Sequence, residues 1–200
     1  MKLDLKILTP RSFLPVAIGG VFAVVLVIVL VGYVFRTPEP ILPSPEEQAD
    51  AYAKGQHYER GDTVVLDYAQ ALTWYHKAAE GGYAPAELEI GTMTMLGRGV
   101  VKDEKAAADW FRKAAEHDLP EAQVQYAGDL LSGVATADGK PDKVEAMKWL
   151  MLGAERMPDP LGRTIAMKTR DSLKAQLTPE EHDEADHRAT EWRAQHVFTQ

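Results

Sequence analysis

Shifted by 36 residues, the chain matches itself. Gly55 falls over Gly91, Asp67 over Asp103, Ala71 over Ala107, Trp74 over Trp110 and Tyr75 over Phe111, and KAAE at Lys77–Glu80 falls over KAAE at Lys113–Glu116. The same shift carries Ala86 onto Ala122 and Gly97 onto Gly133. Three extra residues in the loop VATADGKP then displace the rest, so that Asp103 meets Asp142 and Trp110 meets Trp149. Three copies at such a period confine the chain to a repeat architecture, in which no unit buries its apolar side alone and neighbours must stack.

Within each copy the apolar spacing predicts two amphipathic helices of about a dozen residues joined by a glycine-containing turn. Asp67, Asp103 and Asp142 stand where a carboxylate caps the unpaired N–H groups opening the second helix. The tryptophan at 74, 110 and 149 and the small residues after it form a large-and-small stripe that is expected in the core. Gly61, Gly97 and Gly133 end the first helices, where a left-handed residue stops a helix without steric cost. This settles the reading of GRGVVK at Gly97–Lys102. A phosphate cradle requires a preceding strand and a second recurring glycine, and Thr63 holds the place of Gly99 in the first copy. The segment is expected to be a turn.

The pattern from Gly91 through Gly97, Gly99, Val100, Asp103, Ala107, Trp110 and Phe111 to Lys113-Ala114-Ala115-Glu116 resembles the Sel-one-like repeat, a relative of the tetratricopeptide repeat. The resemblance covers roughly residues 49–156. It departs at Thr94, where Tyr58 shows the expected aromatic, and at Ala127, where glycine is expected, so the packing of the third copy stands open. The resemblance implies an all-α solenoid serving as an adaptor between proteins, often in membrane or envelope complexes, and no catalytic residue.

Residues 12–35 carry no charge, and 16–35 read VAIGGVFAVVLVIVLVGYVF. About 20 helical residues match a hydrocarbon core of roughly 30 Å. We therefore expect a transmembrane helix over 15–36. It is too long for the apolar core of a signal peptide and lacks a small-residue cleavage site. Lys2, Lys6 and Arg11 precede it, against Arg36, Glu39, Glu46 and Glu47 beyond. That bias puts residues 1–14 in the cytoplasm and the rest in the periplasm of a bacterial inner-membrane, single-pass protein. The proline-rich 37–45, TPEPILPSP, reads as an extended linker. The solenoid is expected over 46–156 and capping helices over 157–200, with an apolar run through Ile165, Met167 and Leu173. Ser44-Pro45-Glu46-Glu47 and Thr178-Pro179-Glu180-Glu181 both carry the capping-box signature.

The formal net charge of −8 divides into +2 before the apolar stretch and about −10 beyond it, which argues against nucleic acid as partner. With no cysteine, thiol chemistry and disulfides are excluded. His182, Asp183, Asp186 and His187 lie close together on one helix and are the only metal-like grouping, the basis of an alternative reading as a metal-dependent hydrolase. The two i, i+4 pairs lie on different bearings, so a solvated face is expected and no metal or other cofactor. A cytoplasm-facing regulatory adaptor is the other alternative.

Comparing the copies locates a partner surface. Ala53, His57 and Arg60 correspond to Glu89, Met93 and Leu96, then to Gln125, Asp129 and Ser132. These lie at i, i+4 and i+7 of the first helices and differ between copies where packing positions repeat. His57, Arg60, Glu89, Met93, Leu96, Gln125 and Asp129 are the expected partner-binding residues on the concave side, with Met93 and Leu96 as apolar anchors. The expected function is a non-catalytic, membrane-anchored scaffold or accessory subunit that binds a protein partner through this column and the bilayer through 15–36, with no small-molecule substrate.

Overall fold

The computed structural model describes residues 42–62 and 64–196. The expected membrane span at 15–36 lies outside them. Among the described residues, no helix is long and apolar enough to cross a membrane.

Among the described residues eight α-helices follow one another: α1 (Pro45–Arg60), α2 (Tyr68–Ala79), α3 (Ala84–Leu96), α4 (Glu104–Glu116), α5 (Pro120–Ser132), α6 (Lys143–Gly153), α7 (Pro160–Lys174) and α8 (Pro179–His196), with a 3-10 turn at Ala154–Arg156 between α6 and α7. Each copy is a hairpin, α1/α2, α3/α4 and α5/α6. The hairpins join through α2 against α3 and α4 against α5, while α6 carries both α7 and α8. This is the expected all-α repeat solenoid with a helical cap.

The starts and stops are where the sequence puts them. Ser44 Oγ accepts from the Glu47 N–H and Glu47 Oε2 accepts from the Ser44 N–H, a complete capping box. Thr178 and Glu181 repeat it for α8. Asp67, Asp103 and Asp142 each accept backbone N–H groups in the first turn of α2, α4 and α6, at 2.9–3.0 Å. Each loop also closes on the helix before it: the N–H of Asp67, Asp103 and Asp142 donates to the carbonyl of Tyr58, Thr94 and Leu130.

The core is a ladder of close helix contacts. A β-carbon on Gly55 would lie 2.5 Å from the Tyr75 ring, and one on Gly91 would lie 2.6 Å from the Phe111 ring, so α1/α2 and α3/α4 meet ring against bare backbone. In the third copy Ala127 replaces the glycine, and Leu150 stands where the ring would be. Both are buried in one cluster with Phe111, Trp149 and Leu173. The third copy therefore packs with the same depth by exchanging ring and glycine for leucine and alanine. Thr94 is buried and spends its hydroxyl on the Ile90 carbonyl at 2.7 Å.

Two core expectations are corrected. Tyr75, Phe111 and Leu150, the residues after the tryptophans, are fully buried, whereas of the tryptophans only Trp149 is, at 2% exposure. Trp74 and Trp110 are half-buried. The reason is the cap: α8 lays Trp192 edge-on against Trp149 at 5.9 Å. A lysine ammonium lies over the indole in every copy, Lys54 and Lys77 over Trp74, Lys113 over Trp110 and Lys148 over Trp149, so it is the ring from α8 that sets the third copy apart. On α7, Ala166 and Leu173 face inward while Ile165 is 57% exposed.

Candidate functional site: the first-helix face

The first helices α1, α3 and α5 bring the partner column to the surface in part. His57, Arg60 and Leu96 are exposed, and Glu89, Gln125 and Asp129 are half-buried. Met93 is fully buried in the core with Ile90 and Tyr75, so it is no anchor for a partner. On the helix face Met93 is the equivalent of His57. But among the described residues α1 opens the stack, whereas α3 is flanked by α2 and α4 and buries a wider arc.

Two further residues join the face. Tyr52 and Glu59 stand seven apart on α1, and Glu59 accepts the Tyr75 hydroxyl at 2.7 Å and lies 3.7 Å from Arg98. The i, i+7 spacing was the available signal. Burial pushes the Glu89 carboxyl up, the Glu59 carboxylate adds to this, and hydrogen bonding by Tyr52 and the charge of Arg60 oppose it. Burial pushes Asp129 up to about 6 against its hydrogen bond with Gln125, and the Glu104 charge acts with burial. Asp129 Oδ2 is buried with no hydrogen-bond partner among the described residues. An acidic face holding desolvated carboxylates can pair with cationic groups of a partner, and it gains when they arrive.

Among the described residues nothing comparable gathers for a reaction. GRGVVK follows a helix, Gly97 and Gly99 take φ of 67° and 72°, Lys102 pairs with Glu104 at 2.7 Å and Arg98 with Glu59. The segment is a turn, and its two cations pair with carboxylates of α1 and α4. His187 lies 3.4 Å from Glu191, and among the described residues no three His, Asp or Glu side chains are placed to hold a metal ion. A cleft of about 470 Å³ between α7 and the start of α6 is lined by Leu131, Lys143, Lys168 and Ser172, without an acid or base partnering the serine.

The architecture is that of a helical-repeat interaction protein. The Sel1 repeat model matches residues 51–83, 84–119 and 120–156, and the chain belongs to the Sel1 repeat family. Members are typically non-catalytic interaction scaffolds. The crystal structure of a Sel1 repeat protein from Oxalobacter formigenes is similar at 27% identity and a TM-score of 0.53, over 68% of this chain and 56% of that one. A protective antigen present in uropathogenic Escherichia coli strains, displaying an SLR fold, shares 25% identity at a TM-score of 0.45, over 74% of this chain and 38% of its own. The chain thus spans little more than half the length of the first and less than half of the second. No curated protein matches it.

Proposed function

We propose that the protein is a membrane-tethered adaptor that docks a protein partner on the first-helix face, as an accessory subunit of a bacterial inner-membrane or envelope assembly. The observation that carries the docking is the division of labour within the repeat. Positions such as Ala71, Ala107 and Ala146 recur and are buried, while Ala53, Glu89 and Gln125 differ from copy to copy and reach the surface. A preorganised face of this kind binds with little loss of conformational entropy. The tether rests on the uncharged stretch at 12–35, which confines the domain near a membrane-bound target and raises its effective concentration. The charge bias around that stretch supports a cytoplasmic N-terminus and a periplasmic solenoid.

The test isolates the full-length chain from membranes in mild detergent beside an Arg60→Ala/Glu89→Ala/Gln125→Ala variant. A partner retained by the first and lost by the second, with helicity unchanged, supports the reading. Equal retention by both refutes this face as the docking surface. Recovery of the chain in the soluble fraction refutes the tether, and a reporter fused after Gln200 that is active only in the cytoplasm refutes the orientation.

A further inference from the structure

Of the nine large apolar side chains that stand exposed among the described residues, six belong to one edge of the stack. Val64, Val65 and Leu66 follow α1, and Leu96, Val100 and Val101 lie at and beyond the end of α3. Val65 and Val101 are 87% and 85% exposed. The two loops adjoin. A β-carbon on Gly99 would lie 2.6 Å from the carbonyl carbon of Tyr68, and Arg98 lies over the Tyr68 ring. In the third copy the loop is longer and holds no exposed large apolar residue, so the feature is confined to two neighbouring loops.

Free turns favour glycine, asparagine, aspartate and serine, and Val65 and Val101 serve neither the turn nor the core. Six side chains so exposed present on the order of 500 Å² of apolar surface, the size at which a patch on a soluble domain marks an interaction site.

The surrounding charge selects the occupant. Arg60, Arg98, Lys102 and Lys105 flank the edge against Glu59, Asp62, Asp67, Asp103 and Glu104, close to a local balance in a chain of net charge −8. A lipid surface recognised by such an edge requires a cationic surplus, which is missing here. A second copy meets neither repulsion nor mismatch. The two loops are repeats of each other, so a two-fold axis between them sets Val65 of one copy against Val101 of the other and the reverse. We propose that the protein forms a symmetric homodimer through this loop edge, which meets the first-helix face at Leu96. The paired edges cover about 1,000 Å² in total, the lower bound of a specific interface and the size of a reversible dimer.

The chain has no cysteine, so single cysteines report without background. Differently tagged full-length chains carrying Val65→Cys or Val101→Cys are mixed in mild detergent and treated with a short bis-maleimide. A pair carrying Leu161→Cys, also exposed, is the control. The proposal predicts that the mixed Val65/Val101 pair cross-links at least about fivefold more than the control and more than either chain alone, and that Val101→Asp in the Val65→Cys chain abolishes the signal. Cross-linking no greater than the control overturns it. So does protection of Val65→Cys from a water-soluble maleimide by anionic lipid vesicles but not by raised protein concentration, which assigns the edge to lipid. Both valines are exposed, and unchanged helicity by circular dichroism confirms the fold.

Discussion

Gly91 and the ring of Phe111 are in direct contact across the α3/α4 hairpin, with room for no side chain between them: a β-carbon on the glycine would sit 2.6 Å from the ring. The pair recurs as Gly55 with Tyr75 and is replaced in the third copy by Ala127 with Leu150. Gly91→Ala is therefore expected to destabilise the domain by about 2 kcal/mol through overpacking. In the Phe111→Leu background, which recreates the third copy, the same change is expected to cost less than half as much. Urea unfolding of the four proteins measures the coupling, and additive costs would contradict the contact.

Asp129 supplies the pH dependence. Its carboxyl is raised to about 6 by burial, above the ordinary 3.8. The folded state thus holds a proton that the unfolded state releases, so this group's penalty is absent below about pH 4, grows through pH 6 and is full at pH 7. Asp129→Asn is expected to stabilise the fold at pH 7 by about 1 kcal/mol, a figure discounted for the solvated half of the side chain, and to change little at pH 4. Thermal melts at the two pH values check the sign.

The two glycines of GRGVVK differ in what surrounds them. Both have positive φ, but a β-carbon at Gly97 meets Lys102 Cβ at 3.2 Å, whereas one at Gly99 strikes the Tyr68 backbone at 2.6 Å. Gly97→Ala is expected to cost about 1 kcal/mol and Gly99→Ala about twice that, from chemical denaturation. Millimolar phosphate is expected to leave both values unmoved.

The tryptophans divide by their cover. Lys113 lies over Trp110 at 3.9 Å and Lys148 over Trp149 at 4.1 Å, but Trp149 also lies under α8 against Trp192 and packs on Tyr126. Trp149→Ala is expected to cost about 4 kcal/mol and Trp110→Ala about half as much. In single-tryptophan variants, acrylamide should quench Trp149 least.

Most of the fold was legible because repetition amplifies weak local signals. One aspartate before an apolar run is a modest cap signal, but Asp67, Asp103 and Asp142 at matching places leave little freedom, and each caps its helix. What the period could not show is where the copies cease to be equivalent. Trp149 differs from Trp110 because only the last hairpin receives α8, and Met93 differs from His57 because α1 has no helix before it among the described residues. Both differences come from position in the stack. The docking column was legible only as a helix face, since its carboxylates acquire their character from burial between α1 and α3 and beside Gln125.

The copies form one stack whose burial leaves the first-helix face at the surface. Site-resolved amide hydrogen exchange of the full chain checks this. Amides at Ile90, Phe111, Leu130 and Leu150 are expected to be the slowest and to lose protection together in rising denaturant, at the global unfolding free energy. Copies that open independently, or a fast-exchanging α3/α4 hairpin, would contradict it.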